Sequence, residues 1–226
     1  MKLLKEKAIF IAIFSVIGFI ALQIPFTKLM GSNVSFTLFD FFGPIAGAFL
    51  GSWLGIISVL TVEVVNYTVK QTPLDKVSII RLFPMLFAVW YFGAMRGKGN
   101  LGDKGRWILA VPLLAIVAFV AHPIGRTVWY YSLFWAIPLI AYRFKNILFF
   151  RSLGSTFTAH AVGGAAWIWA FNLPATVWNN LIPIVIQERL LFALGISASY
   201  VVVKYVLSFL IAKKLLPPLK SLNPAF

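Results

Sequence analysis

The chain has no cysteine and few acidic residues, and both shortages restrict its chemistry. Without cysteine it can form no disulfide, no thiolate metal site and no cysteine nucleophile. Only 6 of its 226 residues are Asp or Glu, and charged residues make up 12% of the chain, against about a quarter in ordinary globular domains. Hydrophobic residues reach 61% and the mean hydropathy is +0.91. This composition excludes a soluble domain.

Apolar runs of the length that crosses a bilayer recur along the whole chain. They are continuous, whereas the strands of an outer-membrane barrel alternate. We therefore predict an all-α, polytopic helical membrane protein that forms one integral membrane domain over residues 1–226. Six to eight transmembrane helices fit, and the higher count treats 107–142 as an additional helical hairpin.

Several segment boundaries follow from the same runs. The first segment, from about 8 to 29, lacks a small-residue cleavage site, so we interpret it as a retained helix. Segments at about 36–50 and 52–69 must be joined by a very tight turn, because no polar run separates them. The stretch at about 181–212 is too long for one straight span and predicts a bend or an interfacial lead-in.

The positive charge is distributed unevenly. The net charge is +14, and 13 of the 20 lysines and arginines fall in 2–7, 96–106, 143–151 and 213–220. By the positive-inside rule these stretches are cytoplasmic, which puts both termini inside a multi-pass cell-membrane protein. The cations lie between apolar runs, where they meet anionic headgroups of the lipid bilayer. No basic, aromatic-interleaved patch suggests nucleic acid.

Four glycines recur at every fourth residue in the stretch DFFGPIAGAFLGSWLGIISVLTVEVVN. This spacing predicts one small helix face that lets another helix approach closely, formed by Gly43, Gly47, Gly51 and Gly55. Asp40 precedes these glycines, and Glu63 with Asn66 follows them. The alternative is a glycine-kinked hairpin with two acids near the headgroups.

With this orientation, unusual polar residues collect toward the outer half of the membrane. Acids at membrane depth are costly and usually line a cavity. We predict that six residues contact a small polar molecule arriving from outside: Asp40, Glu63, Asn66, Arg81, Asn179 and Glu188. An aromatic belt with headgroup anchors is the alternative explanation for the surrounding aromatic residues.

Partner choice within this set stays open at the level of sequence. Glu188 and Arg189 point about 100° apart on a helix and need not pair, so Arg81 or Arg126 is an equally good partner for Glu188. His160 is interpreted as a hydrogen-bonded packing residue. His122 and His160 fall on opposite membrane sides, so we predict no metal site.

Catalysis has little support. The chain contains no GxSxG, no HExxH and no phosphate-binding loop. Ser155 and His160 are five residues apart on a predicted helix and face different ways. We predict that the chain is not an enzyme and needs no cofactor.

The basic start followed by Ala8 and Ala12, together with FTLFDFFGPIAGAFLGSWLGIISVL at 36–60, resembles the S components of energy-coupling factor (ECF) transporters. The resemblance covers about 1–95 and, more loosely, 155–212. It implies a subunit that captures a vitamin, a precursor or a metal ion from outside. It also implies docking through Ala8 and Ala12 onto a coupling membrane protein that carries two ATPases. The family usually has six helices, so 107–142 departs from its pattern.

The leading hypothesis is therefore the substrate-capturing subunit of an ECF-type importer. A cationic or amine-bearing substrate would suit the acids, and a zwitterion would suit the acids together with Arg81 or Arg126. The alternative is a stand-alone secondary transporter or channel that uses Glu63 or Glu188 as a relay. A lipid-modifying membrane enzyme would need His160 and Glu188 in one cavity. A scaffold protein would need neither Glu63 nor Glu188 for its function.

Overall fold

The computed structural model describes residues 2–28, 35–95 and 107–216, and nearly all of these are helical. The basic loop at 96–106, the polar loop before 35 and Lys220 lie outside the described residues. The helices are α1 (Lys2–Leu22), α2 (Phe39–Phe42), α3 (Ile45–Leu50), α4 (Ser52–Val69), α5 (Lys76–Ala94), α6 (Ala110–Ala121), α7 (Pro123–Thr127), α8 (Ile137–Arg143), α9 (Leu148–Phe171) and α10 (Ala175–Ala212), with a 3-10 helix (Trp129–Ala136) between α7 and α8.

Three of the described helices are long and apolar enough to cross a membrane: α4, α5 and α10. Two shorter apolar helical stretches, Phe39–Leu50 and Trp107–Ala121, accompany them. The all-α prediction is therefore confirmed, and the apolar helices are compatible with a membrane protein.

Three segments differ from the sequence-based prediction. The first helix ends at Leu22, and the residues after it form strand β1 (Pro25–Lys28), which pairs antiparallel with β2 (Ser35–Thr37). The second half of the predicted 107–142 hairpin is instead the 3-10 helix followed by the short α8. The final stretch is a single 38-residue helix with Pro183 inside it. Internal proline is tolerated in membrane helices because neighbouring groups satisfy the freed carbonyl.

The turn between α3 and α4 is as tight as the sequence predicts, since Gly51 is the one residue between them. Its φ of 83° lies in the left-handed region that favours glycine. The prediction that four glycines share one helix face is wrong, because this turn reverses the chain and folds Gly55 back onto Gly47. A Cβ on Gly55 would lie 2.8 Å from the Gly47 nitrogen. Gly43 lies apart, beside the Met85 sulfur.

Two large hydrophobic clusters form most of the core, and a small third one contains Tyr91, Met95 and Ile108. The first large cluster draws on α1 to α5 and the second half of α10, and it centres on aromatic residues such as Phe14, Phe49 and Tyr200. The other draws on α6, the 3-10 helix, α9 and the first half of α10, around Phe119 and Trp135. Helices α5 and α9 join the two clusters.

The α5–α9 contact is close and contains a buried hydrogen bond. Ser155 of α9 donates to the Ala88 carbonyl of α5 at 2.8 Å. Beside this contact, the Tyr91 hydroxyl of α5 donates to the Pro138 carbonyl of α8 at 2.8 Å. Gly154 packs directly against the Tyr91 ring, where no side chain would fit. This contact fixes α5, which carries Arg81, against the second half of the chain.

Asp75 caps the N-terminus of α5. Its Oδ1 accepts the Ser78 backbone N–H at 2.8 Å, and this bond is the main cause that holds the pKa of Asp75 below its ordinary value of 3.8. A carboxylate at a helix N-terminus also interacts favourably with the helix dipole. Because the pKa is lowered in the folded state, the stabilisation is present at neutral pH and is lost as the pH falls through the folded-state pKa.

We expect Asp75→Ala to lower the thermal unfolding midpoint by about 2–4 °C at pH 7, because the cap is lost. The difference from the unmodified chain should shrink as the pH falls below about 4, the ordinary range of an unfolded-state aspartate, and through the lower folded-state pKa of Asp75. Thermal melts of detergent-purified protein between pH 3 and pH 7 measure it. Asp75→Asn keeps an uncharged cap and should show no such pH dependence, and a gap constant with pH for Asp75→Ala would contradict this role.

Candidate functional site

Strand β2 lies at the meeting point of three helices. Each of its three residues contacts a charged side chain from a different helix. The Ser35 carbonyl accepts from Arg81 Nη2 of α5 at 3.2 Å, and the Phe36 ring lies 5.2 Å from the Arg189 guanidinium of α10. The Thr37 N–H donates to the Asp40 carboxylate of α2 at 2.7 Å. The strand therefore brings together charges that are far apart in the sequence.

These side chains belong to a larger group that we call the charged cluster: Asp40, Glu63, Arg81, Glu188 and Arg189. The Asp40 carboxylate lies within electrostatic range of both arginines. Glu63 on α4 lies within range of Arg81, which attracts it, and of Asp40, which repels it. Helices α2, α4, α5 and α10 thus bring opposite charges within electrostatic range of one another.

Arg189 is buried, with 6% of its surface exposed. Its Nη2 pairs with Glu188 Oε2 at 3.3 Å, and its Nη1 donates to Thr156 Oγ1 at 3.3 Å. The Phe192 ring lies 4.4 Å from the guanidinium, a cation–π distance. The Nε–H has no hydrogen-bond partner. A buried donor left unpaired is costly and calls for an explanation.

The pairing of Arg189 with Glu188 settles the partner of that acid, which the sequence left open. Adjacent helix residues start about 100° apart, but both side chains are long enough to meet. Sequence reasoning did not place Arg189 among the candidate contacts. The available signal was a lone arginine inside a long apolar run, which is expensive unless paired.

Two of the six predicted contact residues are not part of the charged cluster: Asn66 lies at its margin, and Asn179 lies apart from it. Asn66, one turn after Glu63, is buried and accepts from Gln23 Nε2 at 3.0 Å. Asn179 is exposed and accepts from the Tyr130 hydroxyl at 2.6 Å. It precedes Glu188 by nine residues, or about 13 Å along α10. The structure therefore brings together Asp40, Glu63, Arg81 and Glu188, with Asn66 nearby and Asn179 apart.

His160 on α9 has partners on both ring nitrogens. Trp135 Nε1 donates to Nδ1 at 3.1 Å, and the Tyr131 hydroxyl lies 3.0 Å from Nε2. Because an indole only donates, Nδ1 must be the acceptor, which assigns the proton to Nε2. This geometry agrees with a packing role. It also separates His160 from Ser155, whose hydroxyl donates to a backbone carbonyl.

Among the described residues, no group of three or more His, Asp or Glu side chains could hold a metal ion. His122 accepts the Ile124 N–H through Nδ1 at 3.2 Å, and its Nε2 lies 2.8 Å from Asn172 Oδ1. The polar groups of the site are instead carboxylates and guanidinium groups, which bind ligands by charge and hydrogen bonds.

Ala8 and Ala12, which the resemblance assigns to docking, are both exposed on α1. Phe10 and Phe14 on the same helix are buried in the core, with 3% and 2% of their surface exposed. Residues four apart share a helix face, so the two alanines present one small-residue strip that no other described element covers.

An apolar cavity of about 380 Å³ lies between α1 and the second half of α10. Its walls include Phe10, Phe14, Val203 and Leu207. None of the charged cluster lines it, so it is a separate feature of the structure.

The chain is 24% identical to the uncharacterized protein MJ0923 of Methanocaldococcus jannaschii over 224 aligned residues, which cover 89% of this chain and 72% of that protein. No family model matches the chain, and no solved structure matches it. The similarity extends over most of the chain. It brings no activity with it.

Proposed function

We propose that the chain is the membrane-embedded, substrate-capturing subunit of an ECF-type importer, which binds a small polar molecule from the outer side of the cell membrane. The observation that carries the proposal is the charged cluster. Four apolar helices place three carboxylates and two guanidinium groups together, and such groups at membrane depth usually mark a binding site or a pathway.

The proposed orientation puts both termini in the cytoplasm, in a multi-pass protein with six to eight spans. Lysines flank the start of α1 and the end of α10. The positive-inside rule places such ends in the cytoplasm. Strand β2 and the charged cluster then face outward, because β1 follows the far end of α1.

Ala8 and Ala12 form the proposed docking strip for a coupling membrane protein with two ATPases. Small residues at a four-residue spacing let a partner helix approach closely in a bilayer. Both alanines are exposed, so a partner could reach them without rearrangement of the fold.

We expect Ala8→Trp with Ala12→Trp to abolish association with the coupling protein and its ATPases while substrate binding is unchanged. Two indole rings would hold a partner helix several ångströms away and remove most of the close packing. The measurement is a tagged pull-down from native membranes, with mass spectrometry of the proteins and small molecules recovered.

The matched control is Leu113→Trp with Val117→Trp, an exposed pair at the same spacing on α6. It adds the same two rings to a surface that the proposal leaves facing lipid, so it should retain the partner. If the unmodified chain recovers no ATPase, or if both double variants lose it equally, the importer assignment fails.

A stand-alone secondary transporter or channel is the alternative. It is favoured by Glu63, whose carboxylate is surrounded by the charges of Asp40, Arg81 and Lys70, an arrangement that also suits a cation relay. This alternative expects uptake by proteoliposomes that contain the purified chain and an ion gradient but no ATPase. Glu63→Gln should then remove the uptake, whereas an importer subunit alone should show none.

A further inference from the structure

The apolar cavity between α1 and α10 opens to the outside of the fold. Buried rings such as Phe10 and Phe14 form its inner wall. Two other lining residues, Ile17 and Val202, have 45% and 58% of their surface exposed. Of the twelve described residues that line the cavity, only Ser199 has a polar side chain. An apolar ligand can therefore enter from the side of the molecule.

Helices α1 and α10 run in opposite directions along this cavity. Near the start of α1, one intervening aromatic ring connects Phe10 to Tyr200. Just past the end of α1, one ring connects Phe26 to Phe192 in the same way, and the ring centroids are 4.8–5.3 Å apart at each step. The start of α1 is therefore level with the end of α10.

The lining residues extend over about the depth of one membrane leaflet. On α1 they run from Phe10 to Ile17, or about 10 Å, and on α10 from Ala198 to Leu210, or about 18 Å. One leaflet contributes about 15 Å to the hydrocarbon core of a bilayer. A helix about 10 Å wide and of this length would occupy about 1,400 Å³. The cavity, at about 380 Å³, has room for a hydrocarbon chain and not for a partner helix.

Three lysines follow the cavity walls at one end. Lys7 precedes Phe10 by three residues, so the two share a face of α1. Lys213 and Lys214 follow Leu210 by three and four residues at the end of α10, and both are exposed. Because the two helices are antiparallel, these lysines lie at the same end of the cavity. We call them the lysine rim.

The lysine rim keeps a positive charge. Glu6 is the only acid in α1 and in the second half of α10, and it is buried, with 5% of its surface exposed. It can neutralise at most one of the three lysines. Cations beside a membrane helix attract the anionic headgroups of lipids. The cavity thus combines apolar walls of leaflet depth with positive charge at one end.

From these observations we propose that the cavity binds one hydrocarbon chain of an anionic phospholipid, whose phosphate group lies at the lysine rim. This lipid would connect the first and the last helix of the described structure. The inference goes beyond substrate capture, because it uses no residue of the charged cluster. It requires that the chain lie in a membrane, and it does not require an importer.

Native mass spectrometry of the purified full-length chain tests the proposal, because it counts the lipids that stay bound to each chain. The probes are dioleoyl phosphatidylglycerol and dioleoyl phosphatidylcholine, which have the same hydrocarbon chains and differ in net charge. We expect one tightly bound phosphatidylglycerol per chain, with an affinity about tenfold higher than that of phosphatidylcholine. Equal affinities for the two lipids would overturn the proposal.

A pair of tryptophans tests the position of the hydrocarbon chain. Ala198 and Val202 line the cavity and are exposed, so Ala198→Trp with Val202→Trp fills it from its open side. We expect both lipids to bind about tenfold more weakly or worse, because the two rings occupy their place. The control Leu113→Trp with Val117→Trp adds the same rings to α6, outside the cavity, and should bind both lipids normally.

Neutralising the lysine rim tests the position of the phosphate. Replacing all three of its lysines by glutamine should remove the preference for phosphatidylglycerol and leave the affinity for phosphatidylcholine unchanged. The control removes three exposed cations elsewhere and should keep the preference: Lys70→Gln, Lys76→Gln and Arg126→Gln. A rim variant that still prefers phosphatidylglycerol would contradict the proposal. This comparison remains decisive if the tryptophan pair in the cavity does not fold.

Other occupants of the cavity give different results. If the tryptophan pair in the cavity binds phosphatidylglycerol normally but loses a dimer or a protein partner, the cavity is a protein interface and the lipid proposal falls. The importer proposal is tested apart from this one. Ala8 and Ala12 each point about 200° away from Phe10, so tryptophans there should leave lipid binding intact.

Discussion

Gly47→Val is expected to prevent the chain from folding. A Cβ at Gly47 would overlap the Val89 carbonyl oxygen and would lie 2.9 Å from the Gly93 nitrogen. Both neighbours are backbone atoms of α5, so no side chain can move aside. Larger groups forced into a well-packed site cost about 1–3 kcal/mol, and more when the backbone must shift. We expect a loss of more than about 3 kcal/mol here, because α3, α4 and α5 all meet at this point.

Size-exclusion chromatography of a fluorescent fusion in mild detergent measures the effect. The expected result is an aggregated profile in place of a single sharp peak. Gly163→Ala is the matched control, because a Cβ there meets only the Pro84 side chain, at an ordinary 3.5 Å. A sharp peak for Gly47→Val with an unchanged melting midpoint would mean that α3 and α5 do not touch at this glycine.

Arg189→Met has the second large expected effect. It removes the partner of Glu188 and the donor to Thr156, and it leaves a carboxylate with no counter-charge in an apolar helix. Breaking a buried pair from one side costs about 3–5 kcal/mol, because the remaining charge stays desolvated. We expect a loss of this size in unfolding free energy, measured by SDS titration in mixed micelles.

The double variant Glu188→Gln with Arg189→Met should recover part of the loss, since it removes both charges together. Arg126→Met is the control, because that arginine is exposed, and surface changes usually stay within about 0.5 kcal/mol. If the single and double variants at 188 and 189 are equally destabilised, the damage comes from lost packing and not from the unpaired acid.

Local rules were enough to predict much of this molecule. Composition and run length predict the all-α class, because only helices with long apolar runs satisfy their backbone in lipid. The cost of charge in hydrocarbon predicts a specific role for Asp40, Glu63 and Glu188, and this role stays a prediction. The tight turn at Gly51 follows from the lack of polar residues between two apolar segments.

Other features depend on contacts between distant residues and could not be predicted in this way. The β1–β2 ribbon forms because Pro25–Lys28 finds a partner strand, and its sequence alone continues an apolar helix. The spacing of Gly47 and Gly55 predicts a common helix face only if one continuous helix contains both residues. The backbone at Gly51 instead reverses the direction of the chain between them. The role of Arg189 is visible only once β2, α9 and α10 are placed together.

The length of α10 makes the thickness of the membrane relevant to the charged cluster. Its 38 residues extend over about 57 Å, almost twice the hydrocarbon core of about 30 Å. A rod of that length must lean, or stand partly in the headgroups, and it leans further as the bilayer becomes thinner. Because Arg189 and Glu188 belong to this rod while Asp40 belongs to the short α2, a change in tilt alters the distance between them. In the proposed membrane location, the host lipid would therefore help to set the spacing between charges in the site.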